Sequence, residues 1–245
     1  MRVGWFRPVH CKSLSAQETR AVLAARRLIR DKLHDVELSL RGLLRNFGLK
    51  VGKTTPRTYE PRILQLVGGH PTLEAIAGAM LEVRQTLRRQ FNQLDRRVRA
   101  LARESQCARL LMTTHGVGPV VALDYASALD DPARFKSSRK VGCYFGLTQR
   151  RYQSGQTDIA GRISKIGDKH VRSSLYEAAH VILTRVTKPS GLKDWAQNLA
   201  KRAGMRKATV ALARKLAVVM HRMLRDQTPF NPSIGLPARA AKAAR

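Results

Sequence analysis

The first hundred residues carry apolar side chains at helical spacing, separated by charged residues. The first such run extends from Val22 to Leu44 and follows a capping box formed by Ser15 and Glu18. Gly48 comes just after it and is a plausible helix stop. This pattern predicts one long amphipathic helix capped by Ser15.

A second long helix is predicted from a cap at Thr72 to about Ser105, after a glycine- and proline-containing connection (48–70) with a short helix near Arg62–Val67. Its apolar residues repeat every seven positions, and two more lie on the adjoining line. A short seam of this kind is typical of two long helices that pack antiparallel, or of pairing with a second subunit, and both interpretations stay open. The repeat comprises Met80, Leu87, Leu94 and Leu101, with Phe91 and Val98 beside it.

Beyond Leu110 the pattern changes to short helices and loops, followed by more regular helical periodicity. Pro189, Ser190 and Gly191 interrupt that periodicity, and the Pro-, Ala- and base-rich stretch after Pro229 is predicted to be a loose tail. Helices are predicted over Lys169–Val186, Lys193–Ala203 and Arg206–Arg225.

These patterns predict a mostly α protein. We expect a long antiparallel, coiled-coil-like helical hairpin followed by a compact helical domain that contains a helix-hairpin-helix element. The predicted segments are 1–12, a short opening segment; 13–105, the helical hairpin; 106–228, the compact helical domain; and 229–245, a basic flexible tail.

The charge balance points to a polyanionic partner. Lys and Arg number 46 against 17 for Asp and Glu, which gives a formal net charge of +29. Such a chain repels itself unless phosphates share its surroundings, so we expect binding to DNA or RNA. A generally basic surface on a ribosome-associated or nucleoid protein is the alternative. No apolar run is long enough to cross a membrane, so no membrane partner is expected.

The cysteines and aromatic residues narrow the class of protein further. Cys11, Cys107 and Cys143 are far apart and lack CxxC spacing, which indicates a reducing cytoplasm and no structural zinc. Aromatic residues make up 5% of the chain. This argues against binders that stack single strands on sheets of exposed rings.

The sequence Gly116-Val117-Gly118-Pro119 matches the hairpin of a helix-hairpin-helix element. Glycines permit a tight turn, and Pro119 is favoured in the first turn of the next helix. The amides at that helix start would face a DNA phosphate. A purely structural turn is the alternative.

Ser154 lies in a polar stretch read as a loop, Arg150-Arg151-Tyr152-Gln153-Ser154-Gly155. A serine attacks a phosphodiester if it is deprotonated and the developing charge is neutralised. Arg150 and Arg151 are suited to the second task, because guanidinium groups pair with phosphate oxygens. No histidine is adjacent to act as the base. A Ser-Gly turn without chemistry is the alternative.

Other basic positions are predicted to contact phosphate, with a solvated basic surface as the alternative. A helix-turn-helix around Gly204 is a further candidate DNA reader. Asp130 and Asp131 could serve a metal, although a turn or cap explains them better, and no metal site is predicted. The predicted DNA-contacting residues are Gly116, Gly118, Lys136, Arg139, Lys140, Arg150, Arg151, Lys165, Lys169 and Arg172.

Five short motifs in order resemble the carboxy-terminal domain of transposases of insertion-sequence family one-ten. They are HGVGP at 115–119, ARF at 133–135, GCYFGL at 142–147, RRYQSG at 150–155 and GRISKIGDKHVR at 161–172. The helical region before residue 105 is also similar to the connecting region of that family.

The resemblance implies a DNA recombinase that is guided by a structured RNA. Ser154 matches the family's serine nucleophile, which joins covalently to DNA in an active site shared between subunits. The resemblance therefore implies DNA transposition and recombination, with DNA, a guide RNA and further copies of the chain as partners.

The resemblance makes residues 106–228 the DNA-binding and catalytic domain and residues 1–12 a remnant of the family's amino-terminal RNase H-like domain. The four metal-binding acidic residues of that upstream domain have no counterpart in this sequence. We therefore expect a truncated copy, a fragment or a late start. No cofactor is expected in this chain, whereas Mg²⁺ is expected for the complete enzyme. The competing hypothesis is a non-catalytic nucleic-acid-binding remnant, or a regulator of the full-length transposase.

Overall fold

The computed structural model of the protein describes residues 9–234, which form nine α-helices and one two-stranded sheet. The mostly α prediction is confirmed. Contacts divide the described chain into two compact units: unit 1, residues 9–20 and 99–234, and unit 2, residues 21–98. The helices are α1 (Leu14–Asn46), α2 (Tyr59–Val67), α3 (Pro71–Glu104), α4 (Gln106–Met112), α5 (Pro119–Leu129), α6 (Arg139–Tyr144), α7 (Lys169–Thr184), α8 (Gly191–Ala203) and α9 (Met205–Asp226).

Helix α1 begins one residue before the predicted cap. The amide of Ala16 donates to the Ser13 hydroxyl (3.3 Å), so Ser13 is the capping residue and the predicted capping box at Ser15 is wrong. A tertiary contact explains the difference. The Ser13 hydroxyl also donates to Asp130 (2.6 Å), which fixes it at the helix start.

Helix α3 begins at Pro71, so the prediction of Thr72 as its cap is wrong. Proline is favoured at the first helical position because its missing N–H has no partner there. Gly48 follows α1 with φ 76°, a conformation that favours glycine, and the predicted stop is confirmed.

In unit 2, α1 and α3 run antiparallel. Arg26 pairs with Asp95 and Glu37 pairs with Arg84, so residue numbers rise along α1 as they fall along α3. The side chains of the predicted seven-residue repeat on α3 are half-buried, and the core of unit 2 lies beside them. That core includes Leu40, Leu44, Val51, Tyr59, Ile63, Val67, Leu73, Ala77 and Leu81.

A buried arginine joins the helices of unit 2. Arg84 is 3% exposed; its Nε donates to Glu37 (2.7 Å) and its Nη2 donates to the carbonyl of Pro56 (3.2 Å). Its guanidinium lies 4.5 Å from the ring centre of Tyr59. The apolar periodicity does not reveal this side chain.

Helix α9 is the central helix of unit 1, and it packs against α4, α6, α7 and α8. Leu212, Leu216 and Met220 on it are fully buried. A DNA-reading helix must expose its face to a groove. The other side of α9 exposes Arg206, Lys207 and Arg214, so DNA contact by a helix-turn-helix around Gly204 stays a prediction.

The segment between α6 and α7 is not the predicted loop but a hairpin of two antiparallel strands. Strand β1 (Gln149–Ser154) pairs with β2 (Thr157–Ile163), and the register sets Ser154 opposite Thr157. Gly155, with φ 56°, occupies the two-residue turn.

The described part of the stretch after Pro229 is not loose, contrary to the prediction. The amide of Gly191 donates to the carbonyl of Pro232 (2.8 Å), and the amide of Phe230 donates to the Thr113 hydroxyl (3.0 Å). Residues 1–8 of the predicted upstream remnant and 235–245 of the tail lie outside the described residues.

Candidate functional site

The Gly116–Pro119 turn joins α4 to α5 within unit 1. Gly116 has φ 83°, and a Cβ on it would lie 2.7 Å from Ile182 Cγ1. Gly116 therefore lets the turn approach α7 closely, which is a structural role. Gly118 is the N-cap of α5 and has open space around it. DNA contact by these two glycines stays a prediction.

Two glycines make the base of the hairpin possible. A Cβ on Gly146 would lie 2.0 Å from the carbonyl oxygen of Ile166, and a Cβ on Gly167 would lie 2.1 Å from that of Tyr144. Both have positive φ, 66° and 93°. No other residue type fits where these two backbone segments cross.

Arg172 reinforces this crossing. Its Nη1 donates to the carbonyls of Phe145 (3.2 Å), Ile166 (3.3 Å) and Gly167 (3.1 Å). The side chain thus ties the segment before β1 to the segment after β2. These contacts favour a structural role for Arg172, and its predicted phosphate contact stays untested.

Asp168 begins α7 at the same place. Its carboxylate accepts from the amides of His170 (2.8 Å) and Val171 (3.2 Å) and from Arg20 (2.7 Å). Burial alone would raise the pKa of Asp168, but these hydrogen bonds outweigh it and hold the pKa below its ordinary value. The hairpin therefore rests on a well-anchored base.

Ser154 is exposed at the far end of β1, beside the turn. Its hydroxyl has no hydrogen-bond partner among the described residues. The position is accessible to a nucleic-acid strand. Among the described residues, however, no side chain that could accept its proton is hydrogen-bonded to it. A group that deprotonates the hydroxyl must therefore be one that does not contact it among residues 9–234 in this structure.

The two predicted arginine partners do not lie against Ser154. Side chains alternate between the faces of a strand, so Arg151, three residues away, faces the opposite side. There its guanidinium donates two hydrogen bonds to the carboxylate of Asp158, and the distance from Nε to Oδ1 is 2.7 Å. Arg150 lies near the hairpin base and donates to the carbonyl of Ser164 (3.2 Å).

The face that carries Ser154 also carries apolar side chains. Tyr152 and its cross-strand partner Ile159 are each 58% exposed. Thr157 lies directly across from Ser154. An exposed ring two residues from a hydroxyl provides a surface on which a nucleobase could stack. Sequence reasoning missed this pair because the segment was read as a loop.

The remaining predicted contacts are exposed basic side chains. Lys136, Arg139 and Lys140 lie before and at the start of α6, whereas Lys165 and Lys169 lie after the hairpin. All five are accessible to phosphate. Their DNA contact is untested.

Asp130 and Asp131 serve the local structure. Asp130 accepts from His10 and Ser13, and Asp131 caps the short 3-10 helix Pro132–Arg134 through the amide of Ala133 (2.8 Å). Within residues 9–234, no group of three or more His, Cys, Asp or Glu side chains could hold a metal ion.

A search of residues 9–234 for membrane-spanning helices gave none that is long and apolar enough. Even α9, whose core-facing side is mostly apolar, carries several lysines and arginines along its other side.

Comparison with known proteins relates one segment of the chain to a family. Residues 108–196, which include the hairpin and its base, match the family model described as Transposase IS116/IS110/IS902 family. The transposase for insertion sequence element IS1111A of Coxiella burnetii is 28% identical over 228 residues, which cover 91% of this chain and 62% of that protein.

Two further relatives extend the comparison. The transposase for insertion sequence element IS1328 of Yersinia enterocolitica is 26% identical over 220 residues, covering 87% of this chain and 66% of that protein. The pilin gene-inverting protein of Moraxella bovis is 29% identical over 128 residues, which cover 52% of this chain and 39% of that protein. This chain thus spans less than two thirds of the length of these relatives. Residues 108–196 are thus similar to the IS116/IS110/IS902 family of transposases.

Proposed function

We propose that this chain acts in DNA transposition or recombination, with Ser154 as the nucleophile that joins to a DNA strand. The observation that carries the proposal is the exposed Ser154 at the tip of a firmly based hairpin, inside the segment that matches the transposase family. The net charge of +29 supports DNA as the partner, and a structured guide RNA and further copies of the chain are proposed on the family resemblance.

The proposed step is a transesterification at phosphorus. The Ser154 hydroxyl loses its proton and its oxygen forms a bond to phosphorus, while one P–O bond of the DNA backbone breaks and the leaving oxygen takes up a proton. One ester replaces another, so the energy of the DNA bond is conserved for rejoining.

The charge that develops at phosphorus needs donors that the hairpin does not supply beside Ser154. Arg151 is held by Asp158 on the opposite face, and Arg150 lies where the hairpin joins the rest of unit 1. We propose that the general base, which takes the proton of Ser154, and these donors come from another chain or another domain. The described residues do not group into a metal site, and no part of this step is assigned to a metal.

A covalent-adduct assay tests the nucleophile. The 245-residue chain is incubated with a full-length transposase of the similar family whose own nucleophilic serine is replaced, so that the missing groups are supplied, together with labelled DNA that covers the ends of its own insertion sequence, RNA transcribed from the adjoining non-coding DNA and Mg²⁺. We expect a denaturation-resistant adduct that maps to Ser154, and Ser154→Ala should reduce it by at least about 100-fold while DNA affinity changes by less than about twofold.

The chain offers a matched control for this assay. Thr157 presents a hydroxyl on the same face, directly across the hairpin from Ser154. Thr157→Ala should leave the adduct yield within about twofold of the parent chain. An adduct that survives in Ser154→Ala would sink the assignment.

Nucleic-acid binding without chemistry is the second candidate function. It is favoured by two observations: among the described residues, no proton-accepting side chain is hydrogen-bonded to the Ser154 hydroxyl, and no group of side chains could hold a metal ion. This candidate predicts strong, salt-dependent DNA binding, no adduct under any of these conditions, and indifference to Ser154→Ala.

A further inference from the structure

A polar cleft opens between the segment that leads into α6 and the last turn of α9. Its volume is about 330 Å³. The two walls come from parts of unit 1 that lie more than eighty residues apart in sequence. The lining side chains that matter here are Lys136, Ser138, Arg139, Arg222, Arg225 and Asp226.

The cleft concentrates positive charge. Four basic side chains line it, and Asp226 is its one acidic lining residue among those described. That carboxylate is held by its neighbour Arg225 (Nε to Oδ1 2.7 Å). Lys136, Arg139 and Arg222 have no carboxylate within 4.0 Å in the described part of the chain. Like charges that converge on one cavity repel each other, and a bound anion relieves that repulsion.

The wall of the cleft is rigid. Ser138 is 4% exposed, and its hydroxyl lies 2.8 Å from Nδ1 of His221, which is fully buried. Nε2 of His221 lies 3.0 Å from the carbonyl oxygen of Pro132. Because a carbonyl can only accept, the proton is on Nε2, and Ser138 donates to Nδ1. The segment that carries Lys136 and Arg139 is therefore fixed to α9.

Helix stabilisation does not explain the whole set. Arg222 and Arg225 lie near the carboxyl end of α9, where positive charge stabilises a helix. Arg139 is the first residue of α6, where positive charge is unfavourable. Lys136 lies outside any helix. Helix-end stabilisation therefore does not account for the positions of these two residues beside the cleft.

We propose that this cleft binds a phosphodiester group of a nucleic-acid backbone. The proposal rests on the proposed function and adds a second contact point, on a different part of unit 1 from the hairpin. Guanidinium groups pair with two phosphate oxygens at once, and four donors around one cavity match the charge of the group. Such a contact holds the strand in place without reading its sequence.

The test compares two variants that remove equal charge. Lys136→Gln with Arg139→Gln changes the cleft, whereas Lys201→Gln with Arg202→Gln changes two exposed residues in the last turn of α8. Binding of short duplex DNA and of an RNA hairpin with equal phosphate number is measured over a range of salt concentrations.

The cleft variant should bind about tenfold more weakly and lower the magnitude of the salt slope by about one to two, and the control should change affinity by less than about twofold. The probe that shows the larger difference between the variants identifies DNA or RNA as the source of the phosphate.

A third variant is expected to strengthen nucleic-acid binding at the same cleft. Asp226→Asn removes the competing carboxylate and releases Arg225, so binding should tighten by about two- to fivefold. Glu177→Gln, an exposed change of the same charge on α7, should tighten binding less.

The outcomes separate this proposal from the one on which it rests. Equal losses in the two double variants, or equal gains in the two acidic ones, would overturn the cleft and leave the Ser154 assay unaffected. Failure of the parent chain to bind either probe would overturn the proposed function and the cleft together.

Discussion

Gly116 and Gly118 lie two residues apart in one turn, yet their surroundings differ. A Cβ on Gly116 would meet the side chain of Ile182 at 2.7 Å, whereas a Cβ on Gly118 would meet nothing within 4 Å. Gly116 also has φ 83°, a conformation that costs other residues energy. The two glycines of one motif therefore serve different purposes.

Alanine substitutions separate these purposes. Gly116→Ala should lower the free energy of unfolding by about 2–4 kcal/mol, because backbone strain and overpacking against α7 add. Gly118→Ala should change it by less than about 1 kcal/mol. Urea unfolding measures both.

DNA affinity then decides the role of Gly118. If Gly118→Ala folds normally but binds DNA several-fold more weakly, the predicted phosphate contact at this turn gains support. Equal affinity in the parent chain and in Gly118→Ala would leave the turn a structural element alone.

At the scale of elements, the base of the hairpin shows how short contacts position an exposed feature. The start of α7 lies directly after β2, and Asp168 joins it both to its own first turn and to Arg20 on α1. The strands themselves are exposed along most of their length. Their placement therefore depends on the base and not on a core of their own.

The charge of Asp168 should make part of this anchoring depend on pH. The pKa of Asp168 is held below the ordinary value of 3.8, so its stabilisation is complete above that pH and is lost as the pH falls through the lowered folded-state pKa. Asp168→Asn keeps an oxygen for the cap but loses the ion pair. It should cost about 1 kcal/mol at neutral pH and almost nothing near pH 2.

The hairpin supplies the comparison for this measurement. Asp158 also pairs with an arginine, but both partners are largely exposed, so Asp158→Asn should change stability much less. Equal effects of the two substitutions on urea unfolding at neutral pH would contradict the anchoring role of Asp168.

For the whole molecule, the excess of 46 basic over 17 acidic residues dominates. The ion pairs of the described residues occupy only a minority of these cations. Repulsion among the others destabilises the compact state and is weakened by salt. A polyanion should relieve it more effectively than monovalent salt does.

Thermal unfolding measures this effect. Raising NaCl from about 50 mM to about 500 mM should raise the Tm by a few degrees, and a short polyphosphate at equal ionic strength should raise it further. A Tm that falls with added NaCl would mean that attractive pairs outweigh repulsion in this chain.

The parts that were predictable from sequence are those governed by local periodicity. The apolar spacing from Val22 to Leu44 located α1 closely, because an amphipathic face must be continuous to pack. Helix starts were less certain: Ser13 caps α1 because Asp130, far away in sequence, holds it.

The parts that escaped prediction depend on tertiary contacts. The hairpin has no buried face, so its strands lack the alternation of apolar and polar residues that signals a strand. Gly155 between Tyr152 and Ile159 was the one local sign of a turn. Arg222 and Arg225 join the cleft through the packing of α9, which no short-range pattern records.

Because β1 is long, small changes at the hairpin base move Ser154 at its far end. Six extended residues carry Ser154 about 17 Å away from the crossing of Gly146 and Gly167. Over that lever arm, a tilt of about 10° at the crossing displaces the hydroxyl by about 3 Å. Attack on phosphorus tolerates far less misplacement than that. Substitutions near the pivot that leave the fold intact would therefore be expected to re-aim Ser154, and under the proposed function they would shift the point of attack on DNA without altering the serine itself.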